Sequence, residues 1–252
     1  MKNHPQLAIL DWGIGGLSVY QALKAELGDI PVRYFSDTGA PPYGKLTRPA
    51  LIARLQQVGV YLQTQGVTHL VIGCNAASTA LPWLHVPGLK IAGVIEGAVR
   101  MTASLRPTRL ALIGGRRTVL SGVYRQAFAA RGIPLTQRIA QPLSGLIERG
   151  DVASDELRAH CRQILKPVKN CSHLLLACTH YPAIAPVLRE FVAADAVLID
   201  PARAVVQQLK RWPLSVGGAD VFQTTGVPDA MQHAARQAFG VRIKSVRQVT
   251  LG

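Results

Sequence analysis

Short runs of consecutive apolar residues alternate along the chain with longer stretches in which apolar positions recur every three or four residues. The runs QLAILD, PVRYFSD, HLVIGC, LKIAGVIE, RLALIG, IPLTQRIA, HLLLAC and AVLID have the length and character of buried strands. Between them, LSVYQALKAEL, RPALIARLQQVGVYLQTQG, TVLSGVYRQAFAARG and SDELRAHCRQILKPVKN carry the i, i+3, i+4 spacing of helices that turn one face to a core. Such alternation predicts an α/β protein with parallel sheets and helices on both faces. Ligands of these sheets bind beyond the carboxyl ends of the strands. Asp11, Asp37, Cys74, Glu96, Gly114 and Cys178 all fall at such ends.

The pattern is duplicated. The offset that separates Cys74 from Cys178 also separates Tyr20 from Tyr124, Asp37 from Gln141 and Glu96 from Asp200. Breaks are expected near Glu96 and Asp200, with the last segment returning to the first half. The first domain is then residues 1–95 plus 207–252, carrying Cys74, and the second is residues 96–206, carrying Cys178. Each half sets one thiol at its own strand-to-helix turn, so halves folded face to face bring two sulfurs across one cleft.

Two facing thiols define a chemistry. With an ordinary pKa of about 8.5, a thiol can donate a proton and a thiolate can take one near neutral pH. One of each, on opposite sides of a carbon acid, removes a proton from one face and supplies one to the other. Both thiols are predicted near helix N-termini, where unpaired N–H groups favour a thiolate and attract a carboxylate. His180 lies two residues beyond Cys178 and Asp11 closes the first strand, so each can serve one thiol in proton transfer. The scheme requires neither metal nor organic cofactor. Cys161 and Cys171 have no repeat partner and are expected to pack. GIGGLS, from Gly13, lacks the last glycine of a dinucleotide loop because Ser18 stands there.

Composition narrows the setting. A chain of 252 residues, 48% hydrophobic, buries enough surface to fold without staples, and its four cysteines are too sparse for a disulfide scaffold. The start, MKNHPQLAIL, has no signal-peptide pattern and no apolar run approaches a membrane span, so a cytoplasmic protein with no membrane association is expected. The net charge is +14, and residues 97–147 hold eight arginines and no acid. That segment is expected to be a solvated basic face; docking of an acidic protein or nucleic acid is the competing reading.

The stretches LDWGIGGLSV, YFSDTGAPPYG, VIGCNAAST, GVIEG, IGGRRTVLSGVY, QPLSGLIERG and CTHYP, in this order, resemble the aspartate/glutamate racemase family, most closely its glutamate-racemising branch. The resemblance implies two similar flavodoxin-like domains related by a pseudo-twofold duplication, with the active site in the interdomain cleft. It also implies cofactor-independent racemisation of an amino acid, supply of D-glutamate for peptidoglycan precursors and, by analogy, a homodimer. Carried onto this chain, it makes Cys74 and Cys178 the catalytic pair. Cys74 then serves the D-isomer with Asp11, and Cys178 the L-isomer with His180 and Glu148. Asn75, Thr118 and Thr179 fall at positions that contact the substrate's polar ends, and Pro42, Tyr43 and Gly44 form the PYG loop. Trp12, Ala76 and Gly115 stand where the family carries hydroxyls, Trp12 and Ala76 within the substrate-binding set.

Losing a hydrogen-bond partner for a buried polar group costs about 1–3 kcal/mol, so these departures bear on substrate choice. The leading expectation is glutamate. A second keeps the two thiols and changes the carbon acid to aspartate, a hydantoin or a less polar acid. A third is a non-catalytic paralogue that binds an acidic partner through its arginines.

Overall fold

The computed structural model describes residues 6–251. Among these residues, ten strands form two wholly parallel sheets: β1 (Leu7–Asp11), β2 (Val32–Ser36), β3 (His69–Ile72), β4 (Lys90–Gly93), β5 (Leu110–Gly114), β6 (Leu135–Ile139), β7 (His173–Ala177), β8 (Val197–Ile199), β9 (Val221–Thr224) and β10 (Arg247–Gln248). The six-stranded sheet runs β10-β9-β2-β1-β3-β4 and the four-stranded sheet β6-β5-β7-β8. Without β9 and β10, the two orders are the same. This is the flavodoxin-like arrangement twice over, and it puts β3 and β7 in equivalent places.

All eight expected strands form, and the central ones show why they read as unbroken apolar runs. Every residue of β1, β2 and β5 is buried, because helices cover both faces. LKIAGVIE ends as a strand at Gly93; Val94, Ile95 and Glu96 begin the helix Val94–Ser104 instead. The stretch TVLSGVYRQAFAARG is two helices, Arg116–Leu120 and Val123–Ala129, parted where Gly122 takes a left-handed φ of 74° that a continuous helix cannot accommodate. Caps fix other boundaries. The Thr47 side chain accepts from the Ala50 N–H at 3.3 Å ahead of helix Arg48–Thr64, and the Ser154 hydroxyl accepts from the Leu157 N–H at 3.0 Å ahead of Asp155–Leu165.

One core runs from a face of the first sheet into the second half, and another lies on the opposite face of the first sheet, including apolar residues of helix Arg48–Thr64. Cys161 and Cys171 are buried in the former. Helices Val94–Ser104 and Ala202–Leu209 pack on each other where the chain passes between the sheets. No helix among the described residues is long and apolar enough to cross a membrane.

Candidate active site

The carboxyl ends of β3 and β7 converge on one buried polar cluster. Cys74 follows β3 and caps the single-turn helix Asn75–Ser78. Cys178 directly follows β7, but the helix expected after it is a tight three-residue-per-turn segment, Tyr181–Ile184. Proline is the reason. Pro182 has no N–H to offer the Cys178 carbonyl, which accepts from the Tyr181 N–H at 3.1 Å instead. The two thiols are close enough that the charge of Cys178 acts on Cys74.

Each thiol has its own titratable neighbour. On one side, Cys74 lies within electrostatic reach of Asp11, which is fully buried. The Asp11 carboxylate accepts from the Trp12 N–H at 2.6 Å and from the Thr179 hydroxyl at 3.1 Å. Burial pushes Asp11 up from the usual carboxylate range, partly offset by the His180 charge. Burial, followed by the Asp11 charge, holds the Cys74 thiol well above the ordinary thiol range. On the other side, Cys178 Sγ lies 3.6 Å from His180 Nδ1, and His180 Nε2 lies 2.6 Å from Glu148 Oε2. Burial works against the imidazolium, but the hydrogen bonds and charges of Cys178 and Glu148 outweigh it and raise His180 well above the ordinary histidine range.

The halves are stitched together at this cluster. Glu148 Oε2 also accepts from the Ile14 N–H at 3.0 Å, Thr179 reaches Asp11, and the Tyr124 hydroxyl donates to Asn75 Oδ1 at 2.7 Å. The glycines of GIGG make the approach possible. A Cβ on Gly13 would stand 2.1 Å from Glu148 Oε2, and one on Gly15 would stand 2.5 Å from His180 Nδ1. The motif that superficially suggested a phosphate loop is therefore a floor bare enough for a carboxylate and an imidazole from the other half.

Asn75 is 2% exposed, and its Nδ2 has no partner among the described residues. A buried amide donor without a partner is uncommon in a folded chain and calls for a physical reason. Thr118 and Thr179 are buried nearby in sequence to the elements that carry Tyr124 and Cys178. The Tyr43 hydroxyl is committed to Asp37 Oδ2 at 2.8 Å, so the Pro42, Tyr43, Gly44 loop has backbone rather than phenol to offer a ligand. Trp12 donates its Nε1–H to the Ala40 carbonyl at 2.8 Å and packs, with Ala76, against the core of the first half.

Several side chains at the cleft escaped sequence reasoning. Gln141 Oε1 accepts from the Arg116 N–H at 3.0 Å and lies 3.2 Å from where a Cβ on Gly115 would be, so it fills the corner left by the missing hydroxyl. Arg54 clamps Asp37 through Nε at 2.8 Å and Nη2 at 2.6 Å. Asp37, Gln141 and Tyr124 were marked by the repeat offset, which was the available signal. The arginines of residues 97–147 are largely engaged at home: Arg100 with Glu96, Arg109 with the Asn170 carbonyl, Arg125 with Gln137, and Arg117 with the Tyr43 and Leu46 carbonyls. A cavity of about 650 Å³ bordered by Arg48, Trp83 and Gln126 lies outside the thiol cluster. Among the described residues, no group of three or more His, Cys, Asp or Glu is placed to hold a metal ion.

The Asp/Glu/hydantoin racemase family model matches residues 17–209. A glutamate racemase of Pseudomonas aeruginosa is 31% identical over 244 residues, spanning 90% of this chain and 91% of its own. The crystal structure of glutamate racemase from Thermus thermophilus in complex with β-chloro-D-alanine is 28% identical, with a TM-score of 0.84 over 99% of each chain. Glutamate racemase isoform RacE1 from Bacillus anthracis, at 23% identity, shares the fold with a TM-score of 0.88 over 98% of each chain. With strands β2 to β8 and both thiol-bearing strand ends inside the matched region, the chain belongs to the Asp/Glu/hydantoin racemase family.

Proposed function

We propose that this protein interconverts L- and D-glutamate by a two-thiol mechanism without a cofactor, and so supplies D-glutamate for peptidoglycan precursors. The observation that carries the reading is the pairing of each thiol with a different buried proton partner, Cys74 with Asp11 and Cys178 with His180 and Glu148. Starting from L-glutamate, the Cys178 thiolate takes the α-proton and the Cys74 thiol delivers its proton to the opposite face, leaving Cys178 as thiol and Cys74 as thiolate. The D-isomer reverses every step. Asn75 Nδ2, with Thr118 and Thr179, orients the carboxylate and ammonium groups, so the α-carbon sits between the sulfurs and little orientational freedom remains to be lost. The division into residues 1–95 plus 207–252 and residues 96–206 belongs to the same proposal, each domain contributing one acid–base set.

Loss of the circular dichroism of L-glutamate on incubation with the protein tests the reading, with L-aspartate and a chiral hydantoin alongside. Glutamate is expected to racemise fastest. A second reading, in which the acid is different, is favoured by Gln141, whose oxygen occupies the Arg116 N–H that a substrate carboxylate could have used. Turnover of another acid with none of glutamate would select it, and turnover of none of the three would contradict both.

The pH profile follows from the thiol environments. Enantiomers have equal free energy in water, so kcat/KM must be the same in both directions, and activity needs one thiol and one thiolate. The alkaline limb appears where the second thiol ionises. Since burial holds Cys74 well above the ordinary thiol range, kcat/KM is expected to stay level through that range and fall only beyond it. A decline beginning near neutral pH would contradict the assignment.

A further inference from the structure

Three of the links between the halves lie at the base of the cleft beside the thiols; a fourth lies at its rim. Arg117, in the short helix after β5, crosses to the first half and donates from Nε to the Tyr43 carbonyl at 3.1 Å and from its terminal nitrogen to the Leu46 carbonyl. Within its own half the Ala40–Leu46 segment is held by the Trp12 indole on the Ala40 carbonyl and by the Tyr43 hydroxyl on Asp37. Gly44 lies between the two carbonyls that Arg117 holds, and a Cβ on it would be 4.0 Å from Gln141 Oε1, also of the second half. The segment is thus anchored on one side by its own half and tied across the cleft by a guanidinium.

Behind this tie the site is largely covered. The two thiols keep partial exposure, but Asp11 is 0% exposed and Thr118 and Thr179 are each 1% exposed, so an amino acid that is to meet all of them needs a local opening. The links at the base involve the groups that do the chemistry. The rim link involves only carbonyls and a cation that neither thiol needs, so it can break and re-form without disturbing the proton partners. Burial and the neighbouring charge of Arg48 lower the Arg117 pKa, and two backbone acceptors compensate that burial without the strength of a carboxylate pair.

We infer that Arg117 is a positioning residue that latches the Ala40–Leu46 segment across the mouth of the cleft, retaining a bound amino acid during proton transfer and releasing it when the two carbonyl bonds break. The inference rests on the racemase reading for its ligand but not for its geometry. It is tested on the full-length protein with Arg117→Ala and Arg117→Lys. Amide hydrogen exchange is followed in residues 40–47 without ligand, with residues 173–177 of β7 as an internal reference. Loss of charge-assisted hydrogen bonds is expected to speed exchange in residues 40–47 by about tenfold in the alanine variant, with β7 unchanged and the lysine variant intermediate. In the glutamate assay KM is expected to rise by about tenfold with kcat retained or increased. Unchanged exchange in residues 40–47, or a fall in kcat at constant KM, would overturn the latch. Should wild-type protein fail to turn over glutamate, the glutamate reading falls while the exchange measurement still decides whether the segment is latched.

Discussion

Serine in place of Cys74 or Cys178 lowers racemisation of glutamate by about 10²–10⁴-fold, the range that positioned acid–base groups contribute. Serine preserves the size and a hydrogen-bonding O–H, so the placement of position 74 beside Asp11 and the approach of position 178 to His180 Nδ1 need not be lost. What disappears is a readily ionised group, because an alcohol gives up its proton far less easily than a thiol. Both directions must fall together in kcat/KM for either variant. The double variant is expected to be little worse than the weaker single one, since both thiols act in one proton-transfer unit. Cys161→Ser and Cys171→Ser, in the core of the second half, serve as controls whose kcat stays near wild type. Turnover of Cys178→Ser within about threefold of wild type would remove this residue from the chemistry.

Arg54→Ala is expected to produce the largest loss of stability. Asp37 is fully buried, and its carboxylate accepts from Arg54 twice, from the Tyr43 hydroxyl at 2.8 Å and from the Thr225 hydroxyl at 2.8 Å. Removing the guanidinium leaves a buried carboxylate without its counter-charge, which costs about 3 kcal/mol or more. For a chain of this size that lowers Tm by about 6–12 °C. The same change loosens Tyr43 and the loop that carries Gly44, so KM for glutamate should rise as well. A Tm shift under about 2 °C would show that the hydroxyls and solvent suffice to hold Asp37.

The parts of this molecule that were legible in the sequence are those encoded locally or by repetition. Fully buried strands such as β1, β5 and β7 announce themselves as apolar runs, and the repeat offset singled out the two thiols without reference to their surroundings. β9 and β10 were missed because Val221–Thr224 and Arg247–Gln248 are short, mixed in polarity and add to the edge of a sheet whose other strands lie far earlier in the chain. The break at Gly122 was hidden because apolar spacing continued across it. The turn after Cys178 required weighing Pro182 as a missing donor rather than reading CTHYP as a helix start.

Other features depend on how the halves dock, and no local pattern carries that. Glu148 can rest on the Ile14 N–H only because Gly13 has no side chain, a relation between residues 134 positions apart. The same holds for Tyr124 on Asn75 and for Arg117 on the Tyr43 carbonyl. Trp12 stands where the resemblance places a hydroxyl; its indole ties down Ala40, which makes it part of the wall of the first half. The missing hydroxyl at Gly115 is met from a distance by the Gln141 carboxamide, a substitution across two strand ends that only the folded chain reveals.

The central claim is that two sulfurs act on opposite faces of one carbon, and the isotopic fate of the α-proton tests it most directly. Unlabelled L-glutamate is incubated with the protein in deuterated water, and each enantiomer is isolated and weighed for deuterium while conversion is still small. The account predicts D-glutamate carrying deuterium at the α-carbon, because it is reprotonated by a thiol equilibrated with solvent, while the remaining L-glutamate keeps its protium. D-glutamate that retains the original proton, or L-glutamate that exchanges before any D-isomer forms, would show a single base at work and contradict the account.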